Sequence, residues 1–460
     1  MAALNASVFD SIVVGAGISG LSAAYALHKA GTGVCVLEAG PQTGGLIQTS
    51  HEEGFVVEHG PQTIPGRAEE LLALCRELNV DLMASNTLAS RRYLYLKSAL
   101  TPLPTRFEEA LLTPLLSWKG KWRALQELKT PLRAAPTPPK TDDISLADFF
   151  TEHFGSEVVE NLLDPFISGI YAGDIRKLSL PAVFPLLHQW EGESGSLLKA
   201  AFLKFRDDRN NGKKKNPETR KMYSISGGLR RLILALTLSL PQDTVRRNTP
   251  VHAIRRHKGN YLLETADGEL FQTRRLILAT PAWVSARLLH PLSPLLADAL
   301  SSIPYASMSV VHTGLLRSAL EHPLDGFGFL VPRRENLSLL GSIWSSSLFP
   351  ERALEHYVLF SNYIGGMHHP EQIYWDDQRL LSETLRELST VFRTREPLTA
   401  LFHRIVRHER AIPQYTLGHR ERLQTIAWAL GQHAGLALCG NYLNGIALND
   451  CVKSGFQAAQ

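Results

Sequence analysis

The sequence predicts an α/β protein that opens with a βαβ unit, carries a helical insertion and continues into antiparallel strands. Three observations carry this. The apolar run Asp10 to Val14 meets a glycine turn and then a helix-length run, Ser19 to Ala30, before a second short strand, Gly33 to Leu37. Between Thr101 and Lys140 the pattern changes to Leu-rich helical stretches broken by proline, ending in Thr130-Pro-Leu-Arg-Ala-Ala-Pro-Thr-Pro-Pro-Lys140, which cannot be helix throughout. From Thr249 onward, strands at Thr249–Arg256 and Asn260–Thr265 flank Gly259, and a turn at Asp267-Gly268 leads to another strand near Gln272, a hairpin or meander.

The remaining elements follow in order. Lys199 to Lys221 holds nine Lys or Arg against three acids, including Lys213-Lys214-Lys215 beside Asn210-Asn211-Gly212, the pattern of an exposed loop near a boundary. Arg275 to Ala279 reads as a buried strand stopped by Thr280-Pro281, and Ser307 to Leu315 starts another β-rich stretch. Helix returns between Asp376 and Arg393. Leu436 to Gly440 is a short strand running into a Gly/Asn loop, and Ala447 to Ala459 has the spacing of a closing helix. There is no visible internal repeat.

Composition bounds the function. The chain has 460 residues, 44% hydrophobic and 20% charged, which excludes fibrous and low-complexity classes. Its 48 basic and 44 acidic side chains leave a net charge of +4, too little to argue for nucleic acid as a partner. Cys35, Cys75, Cys439 and Cys451 form no metal or redox spacing and read as reduced, intracellular thiols, and the 17 histidines, His368-His369 included, suggest no metal. No Lys or Arg precedes the first apolar segment, which predicts neither a secretory nor a transit signal. No uninterrupted apolar run reaches the roughly 18 residues of a spanning helix.

Gly15-Ala16-Gly17-Ile18-Ser19-Gly20 follows a strand and opens a helix, so the backbone can turn sharply, approach a pyrophosphate and pack against the sheet. Glu38 ends the second strand, placed to accept hydrogen bonds from ribose hydroxyls. A plain glycine-rich turn beside an exposed glutamate is the bland alternative, and strand, turn, helix and acid together argue against it. This predicts a Rossmann-like dinucleotide site. Gly440-Asn-Tyr-Leu-Asn-Gly445-Ile-Ala-Leu-Asn449-Asp450 enters the closing helix, whose positive N-terminus would stabilise negative charge on a flavin; ordinary capping is the competing explanation.

Five segments together resemble the FAD-dependent, oxygen-using protoporphyrinogen oxidase family along nearly the whole chain. They are the N-terminal fingerprint with Gly44-Gly45, Arg92-Tyr-Leu-Tyr-Leu followed by Leu103-Pro-Thr, Ser168-Gly169-Ile-Tyr-Ala-Gly173-Asp174, Ile412-Pro-Gln-Tyr-Thr-Leu-Gly-His419, and Gly440 through Gly455. The resemblance implies a discontinuous FAD domain of the two-dinucleotide-binding type (1–86, 222–290 and 408–460), a mixed-sheet substrate domain (87–106, 206–221 and 291–407) and a helical insertion (107–205). In the insertion, Lys119, Lys121 and Arg123 would meet lipid headgroups, a solvated helical surface being the bland alternative. It further implies non-covalent FAD held also at Ala39, Leu46, Gly60, Pro61, Val251, Ile446 and Ala447.

For the substrate, the resemblance assigns Arg92 to a propionate, Leu330 and Ile343 to one pyrrole face, Tyr363 to the opposing wall, and Gly169 to a close backbone approach. A guanidinium holds a carboxylate through two parallel bonds, which suits Arg92; adjacent Arg91 shows how easily an arginine is only a surface residue. Leu330 and Ile343 are each otherwise ordinary core, and Gly169 a turn glycine. Gln62 departs from the arginine or small polar residue of relatives, so its role stays open. The implied chemistry removes six electrons from a porphyrinogen in successive flavin cycles closed by O2, with H2O2 as by-product, and needs no dedicated acid or base. Protoporphyrinogen IX in late haem biosynthesis is the first expectation, coproporphyrinogen III the second. An amine oxidase, whose family often tethers flavin to a cysteine, is a further alternative, but no such attachment motif occurs beside Gly440 although Cys439 lies close; a non-catalytic flavin-binding scaffold is another. The expected location is cytoplasmic and peripheral at the inner face of a membrane, with a homodimer and neighbouring haem-pathway enzymes as further partners.

Overall fold

The computed structural model describes residues 6–105, 107–130, 143–210 and 217–460. The proline-rich run from Pro131 and the Lys213–Lys215 cluster lie outside the described residues.

The βαβ opening forms as its sequence dictates. Ile12, Val13 and Val14 of the strand Ser7–Val14, and the strand Val34–Leu37, are buried on both faces, the condition of a parallel sheet covered by helices. They lie side by side in register, Ser11 opposite Val34 and Val14 opposite Leu37, joined by the helix Ile18–Lys29. The full sheet has seven strands: six in the order Val245–Arg246, Val34–Leu37, Ser7–Val14, Leu270–Leu278, Asn260–Thr265, Val251–His257, and a seventh, Leu436–Leu438, paired with Leu270–Leu278. The long strand Leu270–Leu278 serves two architectures. Its first half pairs antiparallel with Asn260–Thr265, and its last three residues pair parallel with Leu436–Leu438. The hairpin between Val251–His257 and Asn260–Thr265 turns at Lys258 and Gly259, both at positive φ, which matches the twist of the flanking strands.

The closing helix Leu448–Ala458 lies directly on the first helix. A Cβ at Gly455 would sit 2.3 Å from the Ser19 carbonyl oxygen, so only glycine admits this approach.

A second, mixed sheet of seven strands has the order Phe402–Pro413, Tyr305–Leu316, Tyr357–Gly365, Leu339–Trp344, Gly326–Leu330, Arg91–Leu96, Ala99–Pro102, with one parallel pairing, Gly326–Leu330 on Arg91–Leu96. One face is closed by the helix Asp377–Phe392, which buries Leu380, Leu388 and Val391 against Trp344, Phe329, Phe360 and Tyr93. Asp376 caps that helix by accepting from the Arg379 N–H at 2.7 Å. The opposite face remains partly open.

The helix Pro294–Ser301 buries Leu296, Ala297 and Leu300 in the core of the first sheet, at about 1.5–3 kcal/mol for each large side chain. This packing lies beyond the expected limit at 290. Position 408 falls inside the strand Phe402–Pro413, which pairs with Tyr305–Leu316 over residues 402–408 and again at Ile412 and Pro413 after a register shift.

The insertion contributes the helices Trp118–Leu125, Leu146–Phe154, Asp164–Tyr171, Pro185–Ser194 and Leu197–Asn210. Before Asp164–Tyr171 the chain makes a wide π turn over Val159–Leu163. Pro165 has no N–H to give the Asn161 carbonyl, so the ordinary helical bond is missing there, and the turn rotates the following helix about its axis.

Candidate flavin and substrate sites

The three fingerprint glycines do three different things. Gly15 has φ +102° and lies against Ala279, with a hypothetical Cβ only 3.1 Å from the Ala279 carbonyl oxygen. Gly20 is pressed on the turn, its Cβ position 2.0 Å from the Gly15 carbonyl oxygen. Gly17 faces open space, with nothing within 4 Å. The helix that Gly17 caps has no side-chain cap and no acid in its first turn, so its free N–H groups and positive end are left for an anion. Ala16, Ile18 and Ser19 are buried around this turn.

Glu38 faces the same turn. Its Oε2 accepts from the Ala16 N–H at 2.7 Å and its Oε1 from the Gly40 N–H at 2.8 Å, with Ala39 exposed between. Gly44 donates its N–H to the Ala16 carbonyl at 2.7 Å, and a Cβ at Gly45 would stand 3.6 Å from the Gly17 Cα. The second glycine pair thus flanks the first. Gly60 packs on the Leu46 carbonyl oxygen, 2.4 Å from its would-be Cβ, and carries Pro61 with it. Val251 differs: its side chain is buried in the core with Cys35 and Leu37, leaving backbone as what it offers a ligand.

At the far end, Gly440 donates to Ser454 Oγ at 3.0 Å and Gly445 to Tyr415 Oη at 2.8 Å. Ile446 packs toward the helical insertion, and Ala447 caps the closing helix. The expected free positive end of that helix is partly used, because Asp450 Oδ2 accepts the Ala447 N–H at 3.1 Å. Burial raises the Asp450 carboxyl above its ordinary range.

The open face of the second sheet gathers the substrate candidates. Register places Tyr363 opposite Gly341, Gly341 opposite Leu330 and Leu330 opposite Leu94, one row across four strands. Ile343 and Arg92 lie two residues along their strands from members of that row, and so share its face. Leu330, Ile343 and Tyr363 keep accessible surface, whereas their neighbours Phe329, Ser342 and Asn362 on the other face are buried. Over this face comes the helix Asp164–Tyr171. A Cβ at Gly169 would meet Leu330 Cδ2 at 2.4 Å, so all five candidates lie on or over this one face of the sheet. Phe166 and Ile170, exposed on the same helix, flank Gly169 by helical spacing.

Arg91 and Arg92 separate cleanly. Arg91 Nη1 is 2.8 Å from Asp325 Oδ2, and the Tyr93 phenol donates to the same carboxylate. Arg92 has no carboxylate partner among the described residues and lies over the Phe327 ring at 5.9 Å. Gln62 donates to the Glu58 carbonyl at 3.0 Å, and Ser361 Oγ lies 3.5 Å from its Oε1. Burial raises the Tyr363 phenol far above its usual range, opposed by a hydrogen bond with Gln62.

The role of Ile412-Pro-Gln-Tyr-Thr-Leu-Gly-His419 emerges only in three dimensions. Gln414 Nε2 donates to the Tyr171 carbonyl at 2.7 Å, the Tyr415 phenol donates to Asn441 O at 2.5 Å, and Ser179 donates its N–H to Tyr415 O at 2.8 Å. One segment thereby ties the Gly169 helix, the insertion and the Gly440–Gly445 loop together. His419 stacks on Tyr415 at 4.2 Å, and burial lowers it to about 4. Periodicity carries no trace of these contacts.

On the insertion, Trp118 and Trp122 are 76% and 60% exposed on adjacent turns of one helix, and Lys121 lies over the Trp118 ring. Arg123 donates to the Glu152 carbonyl at 2.6 Å. Among the described residues no helix is long and apolar enough to cross a membrane.

The chain is similar to known proteins along nearly its whole length. Residues 18–460 match the family model for flavin containing amine oxidoreductases. The chain is 32% identical to the chloroplastic protoporphyrinogen oxidase of Nicotiana tabacum over 472 residues, covering 99% of this chain and 85% of the relative. It is 27% identical to the coproporphyrinogen III oxidase of Bacillus subtilis (strain 168), covering 96% of both chains. A crystal structure from Exiguobacterium sp. 255-15, assigned as a protoporphyrinogen oxidase, superposes with a TM-score of 0.83 at 27% identity, covering 99% of this chain and 98% of the other. FAD fits the cradle: a bare helix N-terminus over an open Gly17 suits its pyrophosphate, and Glu38 suits its ribose. The chain belongs to the flavin containing amine oxidoreductase family, in its protoporphyrinogen oxidase group, and is an FAD-dependent oxidoreductase.

Proposed function

We propose that this protein oxidises protoporphyrinogen IX to protoporphyrin IX with O2 as acceptor and H2O2 as by-product, a late step of haem biosynthesis. The observation that carries the reading is the cleft over the second sheet: apolar along Leu330 and Ile343, and ending in Arg92, whose guanidinium no carboxylate neutralises among the described residues. An apolar tetrapyrrole with two propionates has that distribution of surface and charge. FAD, when bound in the cradle, would supply the two-electron acceptor.

This chain's own residues bind and orient. Gly15, Gly17, Gly20 and the N–H groups of Ile18 and Ser19 would hold the pyrophosphate, Glu38 the ribose, and Gly44, Gly45, Gly60, Pro61, Gly440, Gly445 and Ala447 the rest of the cofactor. Arg92 would take a propionate through paired hydrogen bonds and so fix the macrocycle's rotation. Leu330, Ile343 and Tyr363 would press on its faces while Gly169 lets the helix backbone approach. Tyr363, with its phenol held neutral, is a wall and not a base.

Coproporphyrinogen III, with four propionates, is the second reading, favoured by the full-length similarity to the Bacillus subtilis enzyme. The exposed Trp118–Trp122 helix, with Lys119 and Lys121, is proposed to sit at the headgroup level of a membrane. The test is to give FAD-loaded protein each porphyrinogen separately and record porphyrin fluorescence, O2 uptake and H2O2. Faster turnover of protoporphyrinogen supports the first reading and faster turnover of coproporphyrinogen the second; neither being oxidised overturns both.

A further inference from the structure

Glu58 and Arg352 form an ion pair in the interior. Arg352 Nη2 lies 2.7 Å from Glu58 Oε1, and their side chains are 2% and 3% exposed. The two come from different parts of the fold: Glu58 ends the hairpin strand Phe55–Glu58 beside the flavin cradle, while Arg352 follows the substrate-sheet strand Leu339–Trp344 and the short helix Ser345–Leu348. Glu58 also accepts from the Leu229 N–H at 2.9 Å and from Thr49 Oγ1 at 2.6 Å, and Arg352 Nη2 donates to Ser224 Oγ at 2.5 Å. Four chain segments meet at this one pair.

Stability alone does not explain it. Two charges have been taken out of water, and Arg352 Nη1 has no hydrogen-bond partner although it is buried. An apolar pair of similar volume would hold the fold as well or better. What the pair does provide is placement. Gln62 hangs from the Glu58 carbonyl by its Nε2, and Ser361, two residues from Tyr363 on the cleft face, reaches Gln62 Oε1 at 3.5 Å. Gly60, Pro61 and Gln62 therefore bridge the flavin cradle and the substrate wall from an anchor at Glu58.

We propose that Glu58 and Arg352 are positioning residues, a buried charged latch that fixes the flavin-side segment Gly60–Gln62 against the substrate sheet and so sets the spacing between the two reactants. The proposal rests on the reading of the cleft as the porphyrinogen site. Displacement of reacting groups by about 1 Å costs on the order of 100-fold in rate, so a latch is worth keeping at a cost in stability.

The test compares Glu58→Gln, Arg352→Met and the double variant as full-length, FAD-loaded proteins. Each single variant leaves a charge or a polar group without its partner and lowers the melting temperature; the double variant recovers it. In the double variant the latch predicts an anaerobic bleaching rate with protoporphyrinogen reduced roughly 10- to 100-fold, with KM little changed. It also predicts an altered visible circular dichroism of bound FAD and faster amide exchange over residues 59–62. A double variant with wild-type bleaching, dichroism and exchange overturns the proposal. If the wild-type protein is not bleached by either porphyrinogen, the substrate reading fails; dichroism and exchange then decide the latch by themselves.

Discussion

Substituting Gly17 by alanine should separate cofactor binding from folding. Gly17 has φ −72° and ψ 175°, a conformation open to any residue, and its would-be Cβ meets nothing within 4 Å. The apoprotein therefore tolerates the methyl group and gains about 0.4–1 kcal/mol, because the unfolded chain loses freedom. In the holoprotein the same methyl stands where the pyrophosphate approaches the helix end. Losing one charge-assisted hydrogen bond, about 1.5–3 kcal/mol, and part of the helix-end attraction, about 0.3–1 kcal/mol, weakens FAD binding by roughly 100-fold. The assay is FAD titration of deflavinated protein, alongside denaturant unfolding of both apoproteins. Gly20→Ala provides the contrast, because its Cβ would lie 2.0 Å from a backbone oxygen that cannot give way, so it damages the fold itself. An unchanged FAD affinity in Gly17→Ala, or an apoprotein less stable than wild type, would refute the reasoning.

Arg92→Ala should retain FAD and raise KM for porphyrinogen about 10-fold, the lower end for a charge-assisted bond because the guanidinium is solvent-exposed; steady-state kinetics check this, with Arg91→Ala expected to shift KM less. Gly169→Ala places a methyl 2.4 Å from Leu330 Cδ2, a side-chain end that can swing away into the cleft. Unfolding should change by less than about 1 kcal/mol while KM rises, and Leu330→Val should restore KM in the double variant. His419 is lowered to about 4 by burial, with Arg422 acting in the same direction. The unfolded chain, titrating near 6.5, then binds the proton more readily, so stability is full above that pH and falls between about 6.5 and 4, by roughly 3 kcal/mol in all. His419→Gln should flatten the drop in melting temperature between pH 7 and pH 5. Trp118→Ser with Trp122→Ser should abolish co-flotation with vesicles containing anionic lipid and leave turnover of detergent-dispersed substrate intact; undiminished flotation would remove this helix from the membrane face.

The flavin cradle was legible because its determinants are local. Strand, glycine turn, helix and acid lie within Ser7 to Glu38, where buried runs and periodicity report structure directly. The helix expected between Asp376 and Arg393 forms at Asp377–Phe392, with Asp376 as its cap. The substrate cleft was named through the family motif and not through physics, since Gly169 and Leu330 touch only after the second sheet has formed. Nor does any local pattern tell Arg92 from Arg91; Asp325, 234 positions away from Arg91, decides it. Tyr415 and Gln414 were singled out as a motif with no role attached, because Gln414 meets the Tyr171 carbonyl across 243 positions. The limits at 290 and 408 are no more local than these contacts. A domain edge is set by which core takes a helix's buried face, and Leu296 and Leu300 read the same from sequence whichever sheet receives them.

The most direct test of the account mixes FAD-loaded protein anaerobically with protoporphyrinogen IX in a stopped-flow cell and follows loss of the oxidised flavin absorbance. The same trace is then recorded with coproporphyrinogen III and with Arg92→Ala. The account predicts rapid, substrate-dependent bleaching that is faster with protoporphyrinogen, and a higher substrate requirement in the variant. Bleaching by neither porphyrinogen would contradict the assignment of the cleft, and equal behaviour of Arg92→Ala and wild type would remove Arg92 from it.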